Sequence, residues 1–317
     1  MSTVRIFSVT LILLFSLLEG CSDARQKLYI IAMDYEREQA GLEEKTLNVN
    51  GRLTAYYENR APADAETIVL LHGFAANKEN WLRFSRYLTS NYHVIAPDLP
   101  GHGDSVKDLN LSYHIEDQVK YLEEFLNQLG VTRSHLVGNS MGGAISSLYA
   151  ARHPEKIITL GLFDPAGIYD YESEFAKLLQ QGQNPLIVET EEDFTQLMNF
   201  AMEEPPFVPW PITSVIAERS IANRAINEKI FQQLLQDFEN LDFKNEIREI
   251  TSPTFILWGE QDRVIAWQNA ELFTQLIANS RKLILPGVGH APMIEVPEKS
   301  AEILKTFMEA NAASRES

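Results

Sequence analysis

Three side chains in this 317-residue chain have the types and the order needed to activate a hydroxyl for attack on an acyl carbon: Ser140, Asp262 and His290. A serine hydroxyl is a poor nucleophile until a base takes its proton, and the base needs an acid to orient it. Ser140 lies in Gly138-Asn139-Ser140-Met141-Gly142, which fits G-x-S-x-G, the nucleophile elbow. Residues 134–137 before it read as a short buried strand, and residues 143–152 after it read as a helix stopped by His153-Pro154. Strand, sharp turn and helix are the context this motif needs. The turn strains the serine backbone and lifts its hydroxyl clear of the sheet. Glycines flank it because a Cβ would strike the neighbouring strand and helix.

The base can be chosen among seven histidines. His93 and His135 start strands, on the wrong edge of a parallel sheet, and His114 and His153 lie near helix ends. His102 is in the Gly-rich loop Pro100-Gly101-His102-Gly103-Asp104, and His72 precedes a glycine after an earlier strand. Only His290 comes late and directly follows a strand, 282–285. The acid should end the strand before that one, 254–258, where Asp262 is the choice over Glu260. Asp164, at the end of strand 158–163, is the alternative acid, because a carboxylate one strand over could also reach the histidine. In open α/β sheets such groups gather at the carboxyl ends of strands.

From about Thr46 to Met308 the chain resembles the α/β-hydrolases. Gly138-Asn139-Ser140-Met141-Gly142-Gly143 and Gly289-His290-Ala291-Pro292-Met293-Ile294-Glu295 look most like bacterial lipases of the monoacylglycerol-lipase-like branch. The resemblance implies an oxyanion hole made by the backbone N–H groups of Phe74, in His72-Gly73-Phe74, and of Met141. His72 in such loops holds the loop's shape. Asp98-Leu99-Pro100-Gly101-His102-Gly103-Asp104-Ser105 matches a structural loop of the family. Read alone, Asp98, His102 and Asp104 could suggest a metal site, but no second cluster supports one, and neither metal nor organic cofactor is expected.

The length admits one large α/β domain or two small domains, and strand-like runs alternate with helical ones, as in a mostly parallel sheet covered on both faces. The formal charge of −17 gives no electrostatic route to nucleic acid. Residues 1–20 read as a lipoprotein-type signal peptide: an apolar run at 6–18 ends in Leu18-Glu19-Gly20-Cys21. Cys21 is the sole cysteine and the expected lipidation site, although Glu19 departs from the small or apolar residues usual there. The expected location is the bacterial cell envelope, anchored by lipid, with secretion as the alternative and a monomer as the working state. Residues 21–44 read as a tether and lead-in helix, and 45–164 with 240–310 as the hydrolase core.

Strand six ends near Asp164 and the next begins near Pro253, too far apart for one crossover helix. Residues 165–239 therefore read as a helical cap over the catalytic face, with helices at 173–181, 191–203, 212–226 and 228–238. Phe207 and Trp210, locked among the prolines at 205, 206, 209 and 211, are the expected pocket wall or lipid-facing edge. Arg219 and Arg224 occupy solvent-compatible helix positions. A cap rich in Phe, Met and Leu suits an acyl chain. The implied activity is a serine lipase or carboxylesterase. A carbon–carbon bond hydrolase of aromatic degradation, with a very similar elbow, and a catalytically silent binding protein are the alternatives. The dehalogenase and epoxide-hydrolase branches use an aspartate at the elbow, where this chain has serine.

Overall fold

The computed structural model describes residues 22–316, so the signal-like segment and Cys21 lie outside the described residues. Eight strands form one sheet: β1 Leu42–Val49, β2 Arg52–Asn59, β3 Thr67–Leu71, β4 His93–Pro97, β5 Ser134–Asn139, β6 Ile157–Phe163, β7 Thr254–Gly259 and β8 Ser280–Leu285. Their spatial order is β1-β2-β4-β3-β5-β6-β7-β8. β2 pairs antiparallel with both neighbours, and every other pairing is parallel. The β1–β2 hairpin turns at Asn50-Gly51, both at positive φ (52° and 85°). A two-residue turn of that kind matches the twist of the strands it joins.

Every residue of β5, β6 and β7 is buried, as expected where helices cover both faces of a parallel sheet. The edge strand β1 instead alternates buried and solvated positions. One core cluster, including Val69, Leu136, Ile145 and Ile256, lies on one face, and the other, including Ile68, Phe84, Val137 and Leu304, on the opposite face. Alternate residues of the same strands feed the two clusters, as period-two side chains must. The order reverses around β3, whose chain continues to β4 on one side and whose next neighbour is β5 on the other. Such reversals open a crevice at the carboxyl ends of the strands.

Helices Glu174–Gln180, Glu191–Ala201, Ile212–Ala222 and Arg224–Asn240 occupy the insertion between β6 and β7. Thr190 and Asp193 form a reciprocal capping box at the start of the second. The last two helices meet at Asn223, which places their boundary before residue 226. Helix Ser22–Gln39 leads directly into β1, which begins at Leu42, ahead of the expected core start at 45. That helix does not behave as a loose tether. Arg25 pairs with Glu218 of the insertion at 2.9 Å, and buried Tyr29 donates to Glu79 at 2.6 Å.

Candidate active site

Ser140 adopts φ 53° and ψ −118°, a conformation that costs a non-glycine residue of order 1–3 kcal/mol. Its neighbours over-determine it. Ser140 N–H donates to Phe163 O at 3.0 Å, and Ala166 N–H donates to Ser140 O at 3.0 Å. A Cβ at Gly138 would lie 2.1 Å from Gly142 O, and one at Gly142 would lie 2.4 Å from Leu71 O. The flanking glycines are therefore obligatory, and they let helix Met141–Arg152 begin directly at the serine. Met141 N–H, at that first turn, and Phe74 N–H donate to no other group among the described residues. A Cβ at Gly73 would lie 3.2 Å from Ser140 Cβ, so the loop carrying Phe74 rests against the elbow. Two backbone donors beside the serine are what an oxyanion requires.

The loop after β8 brings His290 to Asp262, with Nδ1 2.7 Å from Oδ2. Asp262 also accepts from Trp258 Nε1 at 2.9 Å, Val264 N at 2.8 Å and Ile265 N at 2.9 Å. Four donors converge on this carboxylate. An ionised Asp262 accepts the Nδ1–H and leaves Nε2 as the proton acceptor. His290 and Ser140 line one cavity of about 660 Å³. Asn139, the unspecified position of the elbow, donates to His290 O at 3.0 Å and Phe163 O at 3.1 Å. It ties the serine turn to the histidine loop.

Glu295 is a second tie that the sequence motif contained without revealing. Its carboxylate accepts from Gly289 N at 3.0 Å, on one side of His290, and from Glu203 N at 2.8 Å, in the insertion. His290 N–H donates to Ala201 O at 2.7 Å. Arg263, next to Asp262, donates to Asn199 O at 3.3 Å and pairs with Glu203. The end of helix Glu191–Ala201 is thus held by both catalytic-side loops.

Asp164 and Glu260, the other acid candidates, occupy different places. Glu260 is exposed. Asp164 is fully buried, and its Oδ1 accepts from Gly259 N at 2.8 Å. Burial and the adjacent Asp262 hold its carboxyl well above the usual carboxylate range.

His72 and His102 are structural. Leu99 N–H donates to His72 Nε2 at 3.0 Å, so Nδ1 carries the proton and donates to Gly73 O at 2.7 Å. Burial pulls His72 down to about 4 and His102 to about 3, so both are neutral. Asp98 and Asp104 face Lys78 at 2.8 and 2.7 Å. Burial works against the Lys78 ammonium, but the two aspartates outweigh it and hold it charged. Nothing local in Asn77-Lys78-Glu79 signals this burial; the acid-rich loop opposite was the available hint.

A family model for the alpha/beta hydrolase fold matches residues 66–297. The chain belongs to the α/β-hydrolase family. Among its relatives, Lipase 1 of Psychrobacter immobilis is 35% identical, with 95% of this chain and 97% of the relative covered. Monoacylglycerol lipase abhd6-B of Xenopus laevis is 31% identical, over 86% of this chain and 84% of its own. The crystal structure of a membrane phospholipase A, described as a bacterial virulence factor, superposes with a TM-score of 0.89 at 39% identity, covering 97% and 99% of the two chains.

Of the two expectations for Phe207 and Trp210, pocket wall or lipid-facing edge, the lining of the hydrolase cavity answers only the first: other side chains form the wall. Phe74, Leu186, Phe194, Leu197, Met198 and Ile216 line the cavity. Phe207 does not: it is 86% exposed. Trp210 is half-buried and lines a separate shallow recess with Glu191, Thr213 and Ala217. The prolines stiffen the segment but carry these two rings outward, while helix Glu191–Ala201 turns its own apolar face inward. Arg219 is not simply solvated either. It lines the cavity, donates to Tyr29 Oη at 2.8 Å and pairs with Asp104 at 3.5 Å. Arg224 is exposed and pairs with Glu189 and Glu228.

Proposed function

We propose that this hydrolase cleaves carboxylic esters of lipids through an acyl-enzyme. Ser140 attacks the acyl carbon, and His290 takes its proton and later returns one to the leaving alcohol. Asp262 orients His290 and stabilises its cation without taking the proton. The N–H groups of Phe74 and Met141 hold the tetrahedral oxyanion, where losing one donor typically costs about 3 kcal/mol. Water then releases the fatty acid. The observation that carries this reading is the 2.7 Å His290–Asp262 bond in a cavity shared with the elbow serine. The cavity's volume of about 660 Å³ and its Phe, Leu, Met and Ile lining suit an acyl chain.

A carbon–carbon hydrolase of aromatic degradation would need free cations for an acidic substrate. Among the cations lining the cavity, Arg219 is engaged by Tyr29, Asp104 and Glu79, Arg83 pairs with Glu36, and Lys107 donates to Gly103 O. A series of p-nitrophenyl esters from acetate to palmitate, with monoacylglycerol and a vinylogous diketone acid as comparators, tests the choice. Long-chain esters are expected to be cleaved with the highest kcat/KM. Preferential cleavage of the diketone acid would reverse the assignment.

We also infer that the chain works at a membrane surface through its N-terminus. No helix among the described residues is long and apolar enough to cross a membrane. The support is the apolar run before Cys21 and the outward stripe Leu28, Ile31 and Tyr35 on helix Ser22–Gln39, all exposed. Acyl chains on Cys21 would each contribute about 0.8 kcal/mol per buried CH₂. Fractionation of wild type and Cys21→Ser with a labelled-palmitate feed checks it. Label and membrane retention should be lost together in the variant; an unlabelled wild type would refute lipidation.

A further inference from the structure

Asp164 is a buried acid that the reaction does not use, at the end of the strand next to the nucleophile. Its backbone is held at φ 45°, a left-handed conformation that a non-glycine residue keeps only when its surroundings enforce it. They do so from two sides: Asp164 N–H donates to Leu257 O at 2.9 Å, and Oδ1 accepts from Gly259 N at 2.8 Å. The second carboxyl oxygen, Oδ2, is buried and has no hydrogen-bond donor among the described residues. Yet ligating atoms of Asp164, Asp262 and His290 all lie within 4.8 Å of one another. Asp262 and, more weakly, Glu295 act on Asp164 through their charge, and His290 belongs to the same cluster. Among them no lysine or arginine offsets a second negative charge.

An ionised Asp164 would place two carboxylates side by side in a buried site, with one lone-pair set unsatisfied. Both faults vanish if one carboxyl keeps its proton. Asp262 already receives four donors, which favour its anion. The proton therefore belongs on Asp164.

We propose that Asp164 is a neutral carboxylic acid whose O–H donates to Asp262, a positioning residue that holds the triad carboxylate in place and limits the site to one negative charge. The single charge matters for the base. Two carboxylates against one imidazole would favour the imidazolium at rest, and a cation cannot accept the serine proton. The inference rests on the hydrolase reading of Ser140, His290 and Asp262.

Asp164→Asn keeps the same shape, a donor toward Asp262 and an acceptor for Gly259 N–H. It should leave the acid limb of the kcat/KM–pH profile in place and kcat within about threefold. Asp164→Ala removes the donor and should lower kcat about tenfold with KM unchanged, a split that general loosening of the site would not give. If Asp164 is ionised in the wild type, Asp164→Asn removes an anion and the acid limb moves down by about one pH unit or more, which overturns the proposal. Should either variant fail to fold, the wild type alone decides. Infrared spectra of protein labelled with carboxyl-¹³C aspartate should show a protonated aspartate C=O band that persists at neutral pH; its absence refutes the neutral acid. The label separates this band from half-buried Glu79. Fluorophosphonate labelling of Ser140, run alongside, separates the two failures: lost labelling counts against the hydrolase reading, and a shifted limb with labelling intact counts against Asp164 alone.

Discussion

The strand-end shelf and the helical insertion contribute to the same cavity but are built in opposite ways. On the shelf, Ser140, Asp262 and His290 sit on turns fixed by backbone approaches so close that single added methyl groups would collide. Asp262 takes four hydrogen bonds, and the elbow is tied through Asn139 to the histidine loop. In the insertion, the cavity wall is a set of apolar side chains on helices: Phe194, Leu197, Met198 and Ile216. Its own core is small, centred on Val188, Phe194 and Ala217. Polar geometry holds the triad in place, and apolar packing builds the cavity wall. The two are joined where Glu295 and Arg263 grip residues 199–203.

The contrast breaks most sharply at the nucleophile. Ser140→Ala should lose about 10⁶ in kcat with the fold intact, and Asp262→Asn about 10⁴. Both losses should be equal for acetate and palmitate esters, since the shelf does not sense chain length. Steady-state kinetics on both esters, with circular dichroism as the fold control, gives the comparison. If either variant retained near wild-type rates, the shelf would not be the catalytic apparatus.

The insertion should respond differently. Phe194→Ala and Met198→Ala are expected to reduce kcat/KM for long-chain esters by about 10- to 100-fold, the usual effect of trimming apolar groups from a pocket wall. Acetate turnover should change little. Equal losses across chain lengths would mean that these side chains serve the insertion's own core.

What could be read from the sequence follows the same division. The elbow, the acid and the base are local patterns at strand ends, each marked by its own glycines and flanking strand, so their positions were visible residue by residue. The insertion was also visible, from the length of chain between Asp164 and Pro253, and so were its four helices. Which faces those helices present was not. Phe207 and Trp210 look like a wall because prolines stiffen them, but orientation depends on how the insertion docks on the catalytic loops. That docking runs through Glu295, Arg263 and the carbonyl of Ala201, interactions of long sequence separation that no local pattern shows. The burial of Lys78 is hidden for the same reason: its partners Asp98 and Asp104 come from the next strand's loop.

A smaller effect distinguishes the shelf by pH. His72 is held down to about 4 by burial, against an unfolded value near 6.5. The unfolded chain therefore binds a proton that the native chain refuses, and stability is lost as pH falls from about 6.5 toward 4. The loss is on the order of 3 kcal/mol, with a further contribution from His102. Urea midpoints from pH 7 to pH 4.5 should fall, and fall less steeply in His72→Asn. Parallel slopes in the two proteins would remove His72 from the explanation. Smallest of all is Phe207→Ala. With the ring in solvent, kcat/KM for a dissolved short-chain ester should stay within about twofold, as for most exposed positions. A large loss there would return Phe207 to the pocket.

The chemistry depends above all on Ser140 being a nucleophile activated by His290 in a cavity open to acyl chains. Intact-protein mass spectrometry after incubation with a long-chain alkyl fluorophosphonate tests this directly. One phosphonyl adduct per chain is expected, mapped to the peptide holding Ser140 and forming orders of magnitude more slowly in His290→Ala. An unmodified wild-type protein, or an adduct elsewhere, would contradict it.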